Sequence, residues 1–246
     1  MIKTGVYIVI TIIVTALLTM LIVKSLPVTD STVRSVVTIT DAELAVKERI
    51  AQLNAEMTAQ INAFCNAVVA DRYFSLKLYG ENDRSAQEVV AFAGKYMSAM
   101  GFSALKIADS DHLIISSGHF PASSGNEIKK QISEYKNAPA VGNETIVDHT
   151  VLMYQIKKEF RISDYKLYAL GGIEINESFF KKLTPWSKVS VFMKRGNTYE
   201  GIDVKTISEL KDGKIIINDK EYFATTVPLA STDNGTETSL IVTLEK

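Results

Sequence analysis

The chain has one cysteine, three histidines and no excess of positive charge among its 246 residues. One cysteine excludes an internal disulfide, and Cys65 stands with Ile61, Phe64 and Val68 at helical spacing, where its expected role is packing. His112, His119 and His149 fit no standard metal-ligand spacing, so no metal is expected. The 27 Lys and Arg against 28 Asp and Glu leave a formal net charge of -1, which gives no reason to expect a nucleic-acid partner. There is no internal repeat, no low-complexity tract and no Gly-x-Ser-x-Gly elbow. Gly171-Gly172 lies inside a strand pattern and reads as a bulge or a close backbone approach, not as a phosphate cradle. No catalytic constellation and no cofactor site are read. At 46% hydrophobic and 22% charged, the composition is that of a folded protein.

A long uncharged apolar run occurs at Gly5 to Val23, bracketed by Lys3 and Lys24. As a helix it would reach about 28 Å, close to the hydrocarbon thickness of a bilayer. It is read as a transmembrane anchor over 1–24. A secretory signal peptide is the competing reading. Against it, the run exceeds a signal core of about 7–15 residues, and Leu17, Leu18, Thr19 and Met20 offer no small-x-small cleavage site. The short tail ahead of the run suggests a single-pass signal anchor in the cell inner membrane, with the rest exported to an extracytoplasmic, periplasmic position.

Pro27 and the Ser/Thr/Val-rich stretch after it make a linker over 25–39. Thr40 with Glu43 has the spacing of a capping box, and Leu44, Ile50, Leu53, Met57, Ile61, Phe64 and Val68 then recur at three- and four-residue steps. This predicts a long amphipathic helix to about Leu78, a surface that also suits a homodimer. Ser85 with Glu88 predicts a second helix, closed by Gly101. Residues 40–100 are thus a helical stalk and second helix.

Beyond Gly101 the period changes to that of strands. Phe102 to Ala108 and His112 to Ser117 read as a hairpin turned by Asp109, Ser110 and Asp111. A small irregular helix is expected from about Ser124 to Tyr135. Strands are expected at Thr150 to Phe160, Tyr165 to Ile175, Val189 to Lys194, Glu221 to Leu229 and Thr238 to Leu244, with a short helix capped by Asn176. The fold class is α+β with an antiparallel sheet.

This order of parts carries a resemblance. An anchor, a long membrane-proximal helix, a second helix ending in Met100-Gly101-Phe102, a hairpin through Asp109-Ser110-Asp111 and then Ser116-Ser117-Gly118-His119 resembles the Cache-type, PAS-like extracytoplasmic sensor domains of bacterial histidine kinases and chemoreceptors. Leu170 to Phe180 resembles the strand-then-helix segment of such sensors, and Lys220-Glu221-Tyr222 leading to Val227-Pro228-Leu229 their penultimate strand. The resemblance covers about Asp41 to Lys246 and implies one sensor lobe over 101–246. It further implies binding of a small-molecule signal of unknown identity, and relay through the long helix to an output outside these residues. One departure is His112, at a turn that commonly ends in Gly.

A sensing pocket needs a few polar groups on a sheet face. The candidates are Ser117 and His119 at the end of the first hairpin, Tyr154 and Tyr168 on the two long strands, and Arg161 at a strand end, where its donor fork could meet a carboxylate. An alternative reading of the same layout is an inner-membrane assembly or scaffold protein of a secretion or pilus machine, which binds partner proteins. Type IV pilins are a weaker variant, because the residues after Gly5 lack an early glutamate.

Overall fold

The structure is a computed structural model that describes residues 37–245 except 82, 136, 148, 204, 205 and 233–235. Helix α1 spans Ile39–Ala70, 32 residues or about 48 Å. Its capping box is formed by Thr38 and Asp41, two residues ahead of the expected Thr40 and Glu43: Asp41 N donates to Thr38 Oγ1 and Thr38 N donates to Asp41 Oδ2 (2.9 Å). The buried face is Ala42, Val46, Ile50, Leu53, Met57, Ile61, Phe64, Cys65 and Val68. The helix does not continue unbroken to Leu78. Asp71 leaves the helical conformation and its carboxylate accepts from Phe74 N, restarting the chain as α2 (Arg72–Ser75), which runs into a single π-helical turn at Leu76–Gly80. Phe74 and Leu78 nevertheless keep the apolar face in register with the core.

The second helix is two short ones, α3 (Gln87–Val90) and α4 (Phe92–Met97), and the expected Ser85 box is not formed; Ser85 Oγ turns back to Asp83. The break at Ala91 is mended from outside. Ser116 Oγ donates to Val90 O and accepts from Ala93 N (both 2.9 Å), so the backbone groups freed by the break are satisfied. Gly101, with φ +70°, closes the segment in a Schellman pattern: Phe102 N donates to Met97 O and Gly101 N to Ser98 O.

Where one antiparallel sheet was expected there are two. The first contains β1 (Ala104–Ala108), β2 (Ile114–Ser117), β3 (Ala140–Ile146), β4 (His149–Ile162) and β5 (Tyr165–Glu174) in the order β2-β1-β5-β4-β3. After α6 (Glu177–Leu183), capped by Asn176, the second contains β6 (Val189–Arg195), β7 (Thr198–Glu200), β8 (Lys214–Ile217), β9 (Lys220–Pro228) and β10 (Thr238–Glu245) in the order β7-β6-β10-β9-β8. The second order is the first repeated, although no repeat is visible in the residues themselves. A 3-10 turn (Pro121–Ser123) and α5 (Lys129–Glu134) lie between β2 and β3.

Helix α1 serves both sheets. Near its start, Thr225 Oγ1 on β9 donates to Glu43 Oε2 (2.9 Å); further on, Tyr154 Oη on β4 donates to Asn54 Oδ1 (2.7 Å), and Phe64 meets Phe92 and Tyr96. The second sheet therefore meets α1 near its start and the first meets it at its middle. Leu105, Ile107, Tyr154, Ile156, Leu167 and Ala169 of the first sheet share one core with Val191, Met193, Val227, Leu240, Val242 and Leu244 of the second. Between them, the Arg49 guanidinium donates to the carbonyls of Lys182 (2.8 Å) and Thr184 (2.9 Å), satisfying the C-terminal end of α6. Val141 N also donates to Ala230 O and Thr232 N to Val141 O, joining β3 to the segment after β9.

Candidate functional site

Side chains alternate along a strand, so each sheet has one face on α1 and one facing away from it. On the outer face of the first sheet, Lys106 of β1 stands opposite Ser117 of β2 and Leu170 of β5, which in turn stands opposite Lys157 of β4. Gln155 of β4 and Glu144 of β3 lie on the same face. The segment from Gly118 to Pro139 covers it. Ile128, Ile132 and Tyr135 from that segment pack on Ala108, Tyr168 and Leu170, and Lys157 Nζ holds α5 down by donating to Ile132 O (2.6 Å).

Under this cover lies a charged cluster. Lys106 Nζ is 2.6 Å from Glu144 Oε1, and the two residues are 4% and 3% exposed. Glu144 also accepts from Thr145 N (3.0 Å) and Gln155 Nε2 (3.4 Å), while Lys106 Nζ donates to Gln131 Oε1 (3.4 Å). His119 Nε2 stands 3.7 Å from Glu144 Oε1, an ion contact when the ring is protonated. Two buried atoms of the cluster, His119 Nε2 and Gln155 Oε1, have no hydrogen-bond partner among the described residues. Beside the cluster is a cavity of about 290 Å³, lined by Lys106, Glu144, Thr145, Gln131, Asn126 and Phe120 among others. It is at the lower bound of about 300–1,000 Å³ usual for small-molecule sites.

Burial alone would raise the Glu144 carboxyl, but the proximity of His119 and Lys106 outweighs it and holds the group below its ordinary 4.5. A carboxyl depressed in the folded state contributes stability that is present above its unfolded pKa and lost as pH falls through the folded one. The difference in urea midpoint between the wild type and Glu144→Gln should therefore narrow below pH 4.5. A difference that stays constant from neutral pH into acid would show that Glu144 is not ionised in the fold.

The five residues expected at the site are not all together. Ser117 is fully buried on the outer face, its Oγ accepting from Phe120 N (3.2 Å) and lying 3.5 Å from His119 Nδ1. His119, with a side chain 4% exposed, belongs to the charged cluster. Tyr168 shares the outer face but packs in the apolar patch with Ile132 and Tyr135, under the Lys166 ammonium. Arg161 is on the same strand face at its exposed end. Tyr154 faces the other way: its ring packs on Phe179 and its hydroxyl bonds Asn54 of α1, so it is core. Burial pushes its phenol up to about 12.

Lys106, Glu144, Gln131 and Gln155 were not read from the sequence. One signal was there to find: Lys106 interrupts an otherwise apolar strand, Ala104–Ala108, and a buried lysine requires a partner. The partner lies on β3, a strand hidden by Gly142 and Asn143. Gly142 is needed because a Cβ there would fall 2.0 Å from the Tyr135 hydroxyl and 2.7 Å from Thr232 Oγ1. Cys65 is buried, with its thiol pushed up to about 12 by desolvation. Among the described residues no three His, Cys, Asp or Glu side chains converge as a metal site, and no helix is long and apolar enough to cross a membrane. The run from Gly5 to Val23 lies outside the described residues.

Two antiparallel sheets of identical strand order strung along one long helix define a PAS-like fold. Solved structures agree. The chain is similar to the periplasmic domain of Vibrio cholerae LuxQ, with a TM-score of 0.53 at 10% identity over 85% of this chain and 99% of that one. It is also similar to an extracellular ligand binding receptor from Desulfohalobium retbaense, with a TM-score of 0.51 at 12% identity over 85% of this chain. The match spans 41% of that receptor, less than half its length. Comparison of the sequence with family models and with curated proteins finds no match. At these identities the likeness establishes the fold.

Proposed function

We propose that the chain is the extracytoplasmic sensor domain of a membrane-anchored receptor, binding a small molecule on the outer face of the first sheet. One observation carries the reading: a buried Lys106–Glu144 pair with unmet polar atoms on His119 and Gln155, set beside a cavity beneath a segment that spans Gly118 to Pro139. The cavity lining itself, with Lys106, Glu144, Gln131 and Asn126, matches a compact ligand bearing both hydrogen-bond donors and acceptors. Ser117 and His119 are part of this site in the proposal. Tyr168 packs on Ile128 and Ile132 of the covering segment, Arg161 shares the sheet face but is not part of the cavity lining, and Tyr154 serves the core.

The relay runs through α1. Both sheets rest on this helix, and Arg49 ties it to α6 between them, so a change in how the first sheet sits is transmitted along one rigid element. A ligand does this only by binding two arrangements with different affinity. In the full receptor the helix pairs with that of a second copy, the anchor is the Gly5–Val23 run, and the output is a histidine kinase or chemoreceptor module.

The test is a thermal-shift screen of the full chain in detergent against amino acids, amines, carboxylic acids and sugars. At a hundredfold its Kd a true ligand stabilises by about 2.7 kcal/mol. Asn126→Trp, which fills the cavity, should abolish the shift, and the bound ligand should alter disulfide crosslinking between cysteines placed on exposed positions of α1. Hits that stabilise wild type and Asn126→Trp alike would remove the site. Binding with unchanged crosslinking would remove the relay, and copurification of a stable complex with other membrane proteins would favour the assembly reading.

A further inference from the structure

Because the second sheet repeats the order of the first, β6 takes the place of β1, β7 that of β2 and β10 that of β5. The correspondence extends to chemistry. As Lys106 stands on the outer face of β1, Lys194 stands on the outer face of β6, directly across the ladder from Ser239 of β10. Each of these faces holds a cavity. That of the second sheet is the larger, about 430 Å³, and is lined by Lys194, Tyr199, Leu210, Ile215, Ser239 and Ile241. Its floor is apolar: Ile215 and Ile241 are 1% and 2% exposed and pack on Phe192.

The two lysines differ in one respect. Lys106 is neutralised by Glu144, whereas Lys194, half-buried, makes no ion pair among the described residues. Glu237 stands on the rim of the same cavity and is exposed, so its charge is screened by solvent. A half-buried ammonium that makes no ion pair among the described residues, across the ladder from a serine and over an apolar floor, has the complementarity of an anion with a hydrocarbon tail.

We propose that this cavity is a second ligand site, which takes a small monocarboxylate with an apolar body. The carboxylate accepts from Lys194 Nζ and from the Ser239 hydroxyl, and the body lies on Ile215, Ile241 and Leu210 beside the Tyr199 ring. The site shares no residue with the one on the first sheet, and the sheet that carries it meets α1 through its other face, near the start of the helix at Glu43. A metabolite held here would therefore act on the relay downstream of the first ligand.

Isothermal titration calorimetry on the full chain in detergent tests this, with phenylacetate, hexanoate and 4-methylpentanoate as probes and phenylacetamide as the uncharged control. At least one carboxylate should bind, and phenylacetamide should bind at least about tenfold more weakly than phenylacetate, the worth of one charge-assisted bond. Lys194→Met should weaken carboxylate binding by about ten- to a hundredfold, and Lys194→Arg should retain most of it. Asn126→Trp, which blocks the first cavity, should leave it unchanged. The proposal is overturned if none of the three acids binds at millimolar concentration, if the amide binds as well as its acid, or if Lys194→Met binds as wild type does. If Asn126→Trp abolishes carboxylate binding and Lys194→Met does not, the acid occupies the first sheet's cavity, which overturns this site and supports the other.

Discussion

Lys106→Met is expected to destabilise the chain by about 3–5 kcal/mol, the cost of leaving one partner of a buried ion pair alone. The Glu144 carboxylate, 3% exposed in the wild type, would keep Thr145 N, Gln155 Nε2 and the His119 ring as neighbours and lose its ammonium. It could regain neutrality by taking up a proton, which would turn the loss into a pH-dependent one. Replacing both residues, as Lys106→Met with Glu144→Leu, should recover most of the loss, because removing both charges is far less costly than removing one. Urea denaturation of the two variants and the wild type measures this. A double variant as unstable as the single one would show that the pair holds the segment from Gly118 to Pro139 by geometry rather than by charge. If the double variant is stable yet blind to a ligand that the wild type binds, the pair is retained for recognition at the expense of an alternative apolar core.

Phe64→Ala should cost a similar amount, about 3–5 kcal/mol, for a different reason. Phe64 is fully buried where α1 meets the two short helices, with the rings of Tyr96 and Phe92 at 5.8 and 6.5 Å and the tilted ring of Phe74 beyond, 4.5 Å from Phe92. The short helices α3 and α4 lack side-chain caps of their own, so their stability derives from this packing and from Ser116. Loss of the ring leaves a cavity that rigid neighbours fill poorly. Leu44→Ala on the same helix, 58% exposed, should change stability by no more than about 0.5 kcal/mol. Equal effects at the two positions in thermal or urea unfolding would mean that α1 does not pack as described, or that its exposed face is covered in a dimer.

Much of the fold was legible because it is written locally. The apolar stripe from Ile50 to Val68, the Gly101 helix end, the Asn176 cap and the strands at β4, β5, β6, β9 and β10 all follow from neighbouring residues and a period, whereas the expected Leu44 is exposed and Ala42 and Val46 are buried in its stead. The misses have physical causes. Asp71 was hidden in a helical pattern because the apolar spacing continues through Phe74 and Leu78 after the backbone has broken. Strand β3 was read as connection because its buried face carries Gly142 and Glu144, which make sense only beside Tyr135 and Lys106. His112 stands where a turn favours Gly, and the backbone there does adopt φ +66°, with Asp109 accepting from Asp111 N and Leu113 N to hold the turn.

By itself, then, the sequence determined the helices, the longer strands, the α+β class and the resemblance to PAS-like sensors, since amphipathic period and capping act over a few residues. Only the tertiary structure decided that the strands divide into two sheets of the same order, that Lys106 meets Glu144 while Lys194 makes no ion pair among the described residues, and that Tyr154 faces the helix and not a cavity. Strand pairing joins residues far apart in the chain, and a one-residue change of register reverses the face each side chain occupies. Neither is recorded in any local window of the sequence.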